Sequence, residues 1–196
     1  MAFWSEKTTE PNRQFRWYIN FGGEVLNNQG QTLDAIRYAL KKCTKPSFKL
    51  EVKEHWYLNH KFNYPGRVVW EPIDITFASV TGNGTTDANS AGLLYELFIS
   101  AGYVLPTAAQ DPSNRDSVRS ISKAAAVAAL GALSLIQIDA NGQPVETWKL
   151  ENPFFTDVKF GDLDYANEEI VDITCKIVYD SANLVTTPAT EASVSS

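Results

Sequence analysis

The alternation of apolar and polar residues in Glu169–Asp180 (EIVDITCKIVYD) constrains the fold more than any other stretch of the sequence. The apolar set is Val171, Ile173, Cys175, Ile177 and Tyr179, and the polar set is Asp172, Thr174 and Lys176. Successive side chains of a β-strand point to opposite faces, so this period of two predicts a strand with one buried and one solvated face. The preceding segment 152–169 breaks the alternation, and we expect it to approach that strand irregularly.

Other segments repeat the strand pattern. Strands are predicted at Phe15–Phe21, Phe48–Leu58, Val68–Phe77, Leu133–Ile138 and Val145–Leu150. Pro72 lacks a backbone donor and indicates an edge or a bulge. Asn59–Gly66 is predicted to be a loop or bent hairpin, and Asn141-Gly142 predicts a type I′ hairpin turn.

Helical spacing is found in two segments. The first has Leu93, Leu94, Leu97 and Phe98 on one face and ends near Gly102, with Thr86 or Asp87 as its cap. The second, Arg115–Ala129, has a stripe of Val118, Ile121, Ala125 and Ala128. Leu33–Leu40 fits one or two helical turns or an irregular strand. We therefore expect a mainly β fold with flanking helices (α+β), an antiparallel sandwich or barrel.

Length and composition point to one soluble domain. A chain of 196 residues with 44% apolar content can bury a sizeable core. We place that domain at residues 1–180, because residues 181–196 (SANLVTTPATEASVSS) are rich in Ser, Thr and Ala and offer little to bury. The first 14 residues lack a signal-peptide pattern, and no apolar run reaches the ~20 residues of a membrane span, so no membrane partner is expected.

Chemistry-bearing motifs are missing from the sequence. Cys43 and Cys175 fit no metal or haem spacing, and Cys175 is expected to be a buried hydrophobe. His55 and His60 are interpreted as surface residues. The acidic segment 162–169 fails the calcium-loop register, and TGNGTT (81–86) lacks the lysine of a P-loop. We predict no catalytic residue, cofactor or metal, and hence no enzyme.

Aromatic residues alternate with basic ones in WYLNHKFNYPGRVVW (56–70). Such a segment can stack single-stranded nucleic acid or anchor a protein interface. The net charge of −6 opposes tight phosphate binding and favours the protein interface. The candidate contact residues are Trp56, Tyr57, Asn59, Lys61 and Tyr64.

Two segments together resemble tail tube proteins of contractile-tailed bacteriophages. One runs from CTKP (43–46) through NHKFNYPGRVVWEPIDITF (59–77) and resembles their early strand–loop–strand segment. The other runs from WKLENPF (148–154) through Gly161 and NEEI (167–170) to Tyr179 and resembles their C-terminal strand pair. The resemblance covers residues 13–180, and the chain departs from it in the longer section 81–114 and in the tail.

The resemblance implies six copies per ring, with strands continuing between subunits around an inner barrel, and rings stacked into a tube. Such a tube would lie inside a contractile sheath in a virion tail assembled in the host cytoplasm. Its partners would be copies of itself, the sheath, tape-measure, baseplate and tail terminator proteins, and DNA passing without specific binding. The segment 55–66 is the candidate contact between rings.

A sixfold ring multiplies the negative charge, and acidic residues in the bore would repel DNA phosphates over a Debye length of about 8–10 Å. The candidates for the bore or a neighbouring subunit are Lys49, Glu51, Lys53, Asp172, Thr174 and Lys176.

Other functions stay open at this point. A type VI secretion ring protein and a baseplate tube-initiator would share the fold. A carbohydrate-binding β-sandwich, from a different class, would use exposed Trp56, Tyr57 and Tyr64 as sugar platforms.

Overall fold

The computed structural model describes residues 11–23, 33–82, 89–104 and 120–186. The strands are β1 (Trp17–Phe21), β2 (Leu40–Cys43), β3 (Ser47–Tyr57), β4 (His60–Glu71), β5 (Ile73–Ala78), β6 (Leu133–Ile138), β7 (Pro144–Glu151), β8 (Phe154–Lys159), β9 (Asp172–Val178) and β10 (Ser181–Thr186). A 3-10 helix spans Leu33–Ala39, and the α-helices are α1 (Ser90–Ser100) and α2 (Lys123–Leu130).

Two four-stranded antiparallel sheets share one core. Sheet A has the strand order β1-β6-β7-β10, and sheet B has the order β2-β5-β9-β8. A single cluster of buried side chains joins both sheets with the 3-10 helix, α1 and α2. The predicted mainly β, α+β fold of antiparallel sheets with flanking helices is therefore confirmed.

Strand β9 lies between β5 and β8 and has the predicted two faces. Ile173, Cys175 and Ile177 are fully buried, while Thr174 and Lys176 are exposed. Each fully buried aliphatic side chain of this kind contributes roughly 1.5–3 kcal/mol to folding. The alternation therefore reflects a central strand of one sheet with one solvated face.

The segment before β9 is more regular than expected. Phe154–Lys159 forms β8 and pairs with β9, and a register shift between Phe155 and Asp157 interrupts the alternation. A bulge inserts one residue and changes which face the following side chains occupy. Because of this bulge, strict alternation in the sequence does not identify β8 as a strand.

Of the two alternatives expected for Asn59–Gly66, the loop was wrong and the bent hairpin describes the structure better. Strand β4 begins at His60 and pairs with β3 around a two-residue turn at Leu58-Asn59. Pro65-Gly66 marks a register shift opposite Glu51 instead of a strand end. Pro72 separates β4 from β5, so the predicted strand Val68–Phe77 is divided there.

The helix boundaries also differ from the expected ones. The N-cap of helix α1 is Asn89, whose Oδ1 accepts a hydrogen bond from the Gly92 N–H at 3.0 Å. The predicted caps, residues 86 and 87, lie outside the described residues. Helix α2 begins only after its N-cap Ser122, and the first residues predicted for it, 115–119, are likewise outside the described part.

The predicted stripe of α2 was wrong. The helix buries Ala126, Ala129 and Leu130, whereas Ile121 precedes it and is exposed. The sequence KAAAVAAL has almost no polar face, so helical periodicity could not identify the buried side.

The hairpin between β6 and β7 is present, but its turn is not type I′. A type I′ turn needs positive φ at both central residues, and in this loop only Gly142 has it, at 78°. The Asp139 carboxylate accepts hydrogen bonds from the backbone N–H groups of Asn141 and Gln143 at 2.7 and 2.8 Å. This aspartate supports a longer turn closed by glycine.

The proposed domain boundary at residue 180 was misplaced. Ser181–Thr186 forms β10, which pairs along its length with β7 as an edge strand of sheet A. At the junction, the Asp180 carboxylate accepts hydrogen bonds from Lys123 and Asn152. Backbone pairing compensates for the few large apolar side chains here, and residues 187–196 are outside the described part.

Candidate assembly surfaces

Strands β3 and β4 form a projecting two-stranded arm, residues Ser47–Glu71. The arm continues β2 through three residues and leads into β5 across Pro72. Its strands pair only with each other among the described strands, and nearly all of its side chains are exposed. An exposed two-stranded ribbon is marginally stable alone, which points to stabilisation by a partner.

One face of the arm is largely apolar. Its cross-strand pairs are Phe48 with Trp70, Leu50 with Val68 and Val52 with Pro65, followed toward the tip by the polar pair Glu54 with Asn63 and by Trp56 with Lys61. At the base, the rings of Phe48 and Trp70 lie 5.4 Å apart, and Trp70 lies 5.9 Å from Tyr179 of the core. Large apolar side chains remain exposed beyond this anchor, which is typical of an interface.

The opposite face of the arm carries charges. Lys49 contacts Glu71, and this hydrogen bond with its charge holds the pKa of Glu71 below its usual range. Lys53 lies 3.7 Å from Glu51. Because these groups are exposed, the pairs add little to stability, and their main effect is to leave the arm close to neutral.

The tip of the arm brings together the residues predicted as an inter-ring contact. Trp56, Tyr57, Asn59 and Lys61 surround the turn, and Tyr64 pairs with Lys53 farther along the arm. Lys61 lies 6.0 Å from the centroid of the Trp56 ring and contacts Glu54. Leu58 has a φ of 49°, uncommon for a residue other than glycine, and its side chain is 82% exposed. The tip therefore displays apolar side chains at a local conformational cost.

The arm is fixed to sheet A through Lys45, between β2 and β3. Its Nζ donates hydrogen bonds to Gln137 Oε1 at 2.6 Å and to Glu146 Oε1 at 2.9 Å. Burial raises the pKa of Glu146, but hydrogen bonds from Lys45 and Trp148 outweigh it and leave this pKa lowered. Lys45, Gln137 and Trp148 also line a cavity of about 700 Å³. The ion pair sets where the base of the arm sits on the two sheets.

The second set of predicted residues is divided between two places. Asp172, Thr174 and Lys176 lie on the outer face of sheet B, whereas Lys49, Glu51 and Lys53 lie on the arm. On sheet B, neighbouring strands extend the three into a continuous polar face. Its additional members are Lys41, Lys42, Asp74, Thr76, Asp157 and Lys159.

Sequence reasoning missed these additional residues, although the signal was partly present. Asp74 and Thr76 alternate with buried Ile73, Ile75 and Phe77, so their parity identified them as solvated. The residues on β2 and β8 were hidden by bulges in those strands.

Charge on this polar face is nearly balanced, with an excess of one lysine. It has the lysines at 41, 42, 159 and 176 and the aspartates at 74, 157 and 172. Lys41 Nζ lies 2.7 Å from Asp172 Oδ1. The acidic excess of the chain is thus not concentrated on this surface.

The loop between β8 and β9, residues 160–171 and here named the acidic loop, forms a further exposed surface. Leu163, Tyr165 and Ile170 project from it, and Tyr165 has no protection from solvent. Side chains of Asp164 and Asn167 accept hydrogen bonds from backbone N–H groups two residues ahead, both at 3.0 Å. The loop therefore has a defined shape while exposing large apolar groups.

Reactive groups are not gathered into a site in the described part of the chain. Among residues 11–23, 33–82, 89–104 and 120–186, no group of His, Cys, Asp or Glu is arranged to hold a metal. Burial, followed by a nearby aspartate, raises the pKa values of Cys43 and Cys175 to about 12. No helix in these ranges is long and apolar enough to cross a bilayer.

The comparison with solved structures identifies the fold. A chain of the six-fold symmetrised cryo-EM structure of the anti-feeding prophage (AFP) baseplate matches with a TM-score of 0.60 and 14% identity, over 91% of this chain and 98% of that chain. A chain of the AFP tube-terminating cap matches with a TM-score of 0.59 and 13% identity, over 95% and 100%. A chain of the PVC sheath–tube complex, an extracellular contractile injection system, matches with a TM-score of 0.59 and 12% identity, over 95% and 99%.

No family model matches the sequence, and no curated protein matches it. The structural matches span nearly the full length of both partners. The resemblance predicted from the sequence is therefore confirmed at the level of the fold: this chain has the fold of tube-associated proteins of contractile injection systems.

Proposed function

We propose that this chain is the tail tube subunit of a contractile-tailed bacteriophage and assembles into stacked hexameric rings. The observation that carries the proposal is the near full-length match to chains of contractile assemblies, one of them six-fold symmetrised. The fold itself supplies what such a ring needs. Sheet B has two edge strands, β2 and β8, and in a ring each edge can pair with a neighbour so that no edge remains open.

In this arrangement the polar face of sheet B lines the bore. Six copies of this face carry 24 lysines and 18 aspartates, so the wall has one uncompensated lysine per subunit. Affinity for DNA phosphates depends on uncompensated lysine and arginine. Because three of the four lysines of each subunit are balanced by an aspartate, this wall holds DNA less tightly than a uniformly basic wall. DNA passage then rests on charge balance, in place of the acidic repulsion expected from composition.

The remaining partners follow from the same proposal. The apolar arm contacts the next ring, and the outer surface contacts the sheath protein. The tape-measure protein occupies the bore during assembly, and baseplate and tail terminator proteins close the tube ends.

A tube-terminating or baseplate protein is the second candidate, because the matches to the AFP baseplate and cap are as good as the match to the PVC sheath–tube complex. Negative-stain images of purified protein separate the two. Long hollow tubes support the tube subunit, isolated rings support the second candidate, and a persistent monomer refutes both.

The carbohydrate-binding alternative fits the arm poorly. A sugar platform needs coplanar aromatic rings on one surface, whereas Trp56 lies on the apolar face and Tyr57 and Tyr64 follow the other parity. Binding of the monomer to a glycan array, without tube formation, would favour this alternative.

A further inference from the structure

Two exposed apolar surfaces lie at opposite ends of sheet B. The arm joins β5 at Ile73, which pairs with Ile177 at the end of β9. The acidic loop joins β9 at Asp172, which pairs with Ala78 at the other end of β5. A surface exposed at one end can therefore meet the opposite end of another copy.

The arm is long enough for this contact. Strand β3 has 11 residues and β5 has six, and strands rise about 3.3 Å per residue. The arm thus spans roughly 35 Å, against roughly 20 Å for the sheet that it extends. It reaches well beyond its own subunit.

Charge decides between the possible pairings. The acidic loop contains Asp162, Asp164, Glu168 and Glu169 and no lysine or arginine. Two such loops facing each other would repel. The arm has three glutamates and four basic residues, Lys49, Lys53, Lys61 and Arg67. It can therefore approach the acidic loop without the like-charge repulsion that two acidic loops would have.

We propose that the tip of the arm docks on the acidic loop of a second copy in the adjacent ring. Trp56 and Leu58 cover Leu163 and Tyr165, and Lys61 lies near Asp162 and Asp164. The inference rests on the proposed tube function, which it deepens by naming the surface that receives the arm. The contact joins two different surfaces, so it does not close on itself and propagates as a filament.

Cysteine cross-linking tests the pairing directly. In Leu58→Cys/Tyr165→Cys, each chain has one cysteine on the arm and one on the loop. Mild oxidation of assembled tubes should give a ladder of covalent dimers, trimers and longer species on a non-reducing gel. Leu58→Cys alone and Tyr165→Cys alone are the matched controls and should stay monomeric, because native Cys43 and Cys175 are held as protonated thiols.

Two cross-linking results would count against the pairing. Dimers from Leu58→Cys alone would show arm-on-arm contacts and overturn the proposal. Tubes of the double variant that give no ladder would also overturn it.

Loss of side chains gives a second, independent test. Leu163→Ser/Tyr165→Ser should abolish tube growth while rings still form. Ile121→Ser/Tyr95→Ser, which likewise removes one aliphatic and one aromatic group, here 43% and 41% exposed, should not abolish it. Mixing rings of the loop variant with rings of Trp56→Ser/Leu58→Ser should yield stacks of two rings, since one intact arm surface then meets one intact loop surface. Normal tubes from the loop variant refute this inference alone, whereas a wild-type chain without tubes refutes the tube function as well.

Discussion

Replacing Trp56 by alanine should separate assembly from folding. In the free subunit 62% of this side chain is exposed, so little core contact is lost. A buried tryptophan covers up to about 250 Å², which leaves about 150 Å² for a partner, or at most about 4 kcal/mol at about 25 cal/mol per Å². Since association consumes part of that energy, we expect about 2 kcal/mol per arm.

This magnitude corresponds to about 30-fold weaker binding at each arm. With six arms between two rings, the effects multiply, and Trp56→Ala should form no tubes at concentrations where the wild type polymerises. The midpoint of thermal unfolding should change little. Sedimentation of tubes and thermal unfolding of the unassembled subunit are the two assays.

Phe77→Ala is the matched control for folding, because Phe77 is fully buried and its loss should lower the unfolding free energy by about 3–5 kcal/mol. Tubes of Trp56→Ala at the wild-type critical concentration would refute the assigned role of the arm.

Three further predictions concern the subunit itself. Gly131 has a φ of 69°, and a Cβ added there would lie 2.3 Å from the Gly22 backbone, whereas a Cβ added at Gly142 would meet nothing within 4 Å. In chemical denaturation, Gly131→Ala should therefore lower the unfolding free energy far more than Gly142→Ala. Because folding lowers the pKa of Glu146, its carboxylate stabilises the folded chain above the ordinary pKa of 4.5, and this contribution is lost as the pH falls through the folded pKa. Glu146→Gln should therefore lose less stability than the wild type on acidification below about pH 4.5. An acid-unfolding profile identical to that of the wild type would contradict this. Cys175 is buried, so it should react with a thiol reagent at pH 8 only after denaturation, whereas the half-buried Cys43, whose thiol pKa is raised, should react slowly in the folded chain. Rapid labelling of Cys175 in the folded chain would contradict its burial.

The sequence predicted those elements whose local pattern matches their packing. Strand β9 is central in sheet B, with one face on the core and one in solvent, so its alternation indicated the faces directly. The aromatic–basic segment was recognised as an interface candidate for a similar reason, because large aromatic side chains clustered on a surface are typical of protein contacts.

The errors have a common physical cause. At Gly66 in the arm and at Thr156 in β8, a bulge changes parity, so a regular strand looks irregular in the sequence. Strand β10 owes its order to pairing with β7, a long-range hydrogen-bonding pattern that its own composition does not encode. The near-balance of charge on the polar face of sheet B was equally inaccessible, because it depends on which strands lie side by side.

A cryo-EM reconstruction of filaments assembled from the purified chain tests the central claim most directly. We predict stacked six-fold rings in which the polar face of sheet B lines the bore and each arm crosses to the next ring. A chain that remains monomeric at high concentration, or a tube with sheet B facing outward, would contradict this arrangement.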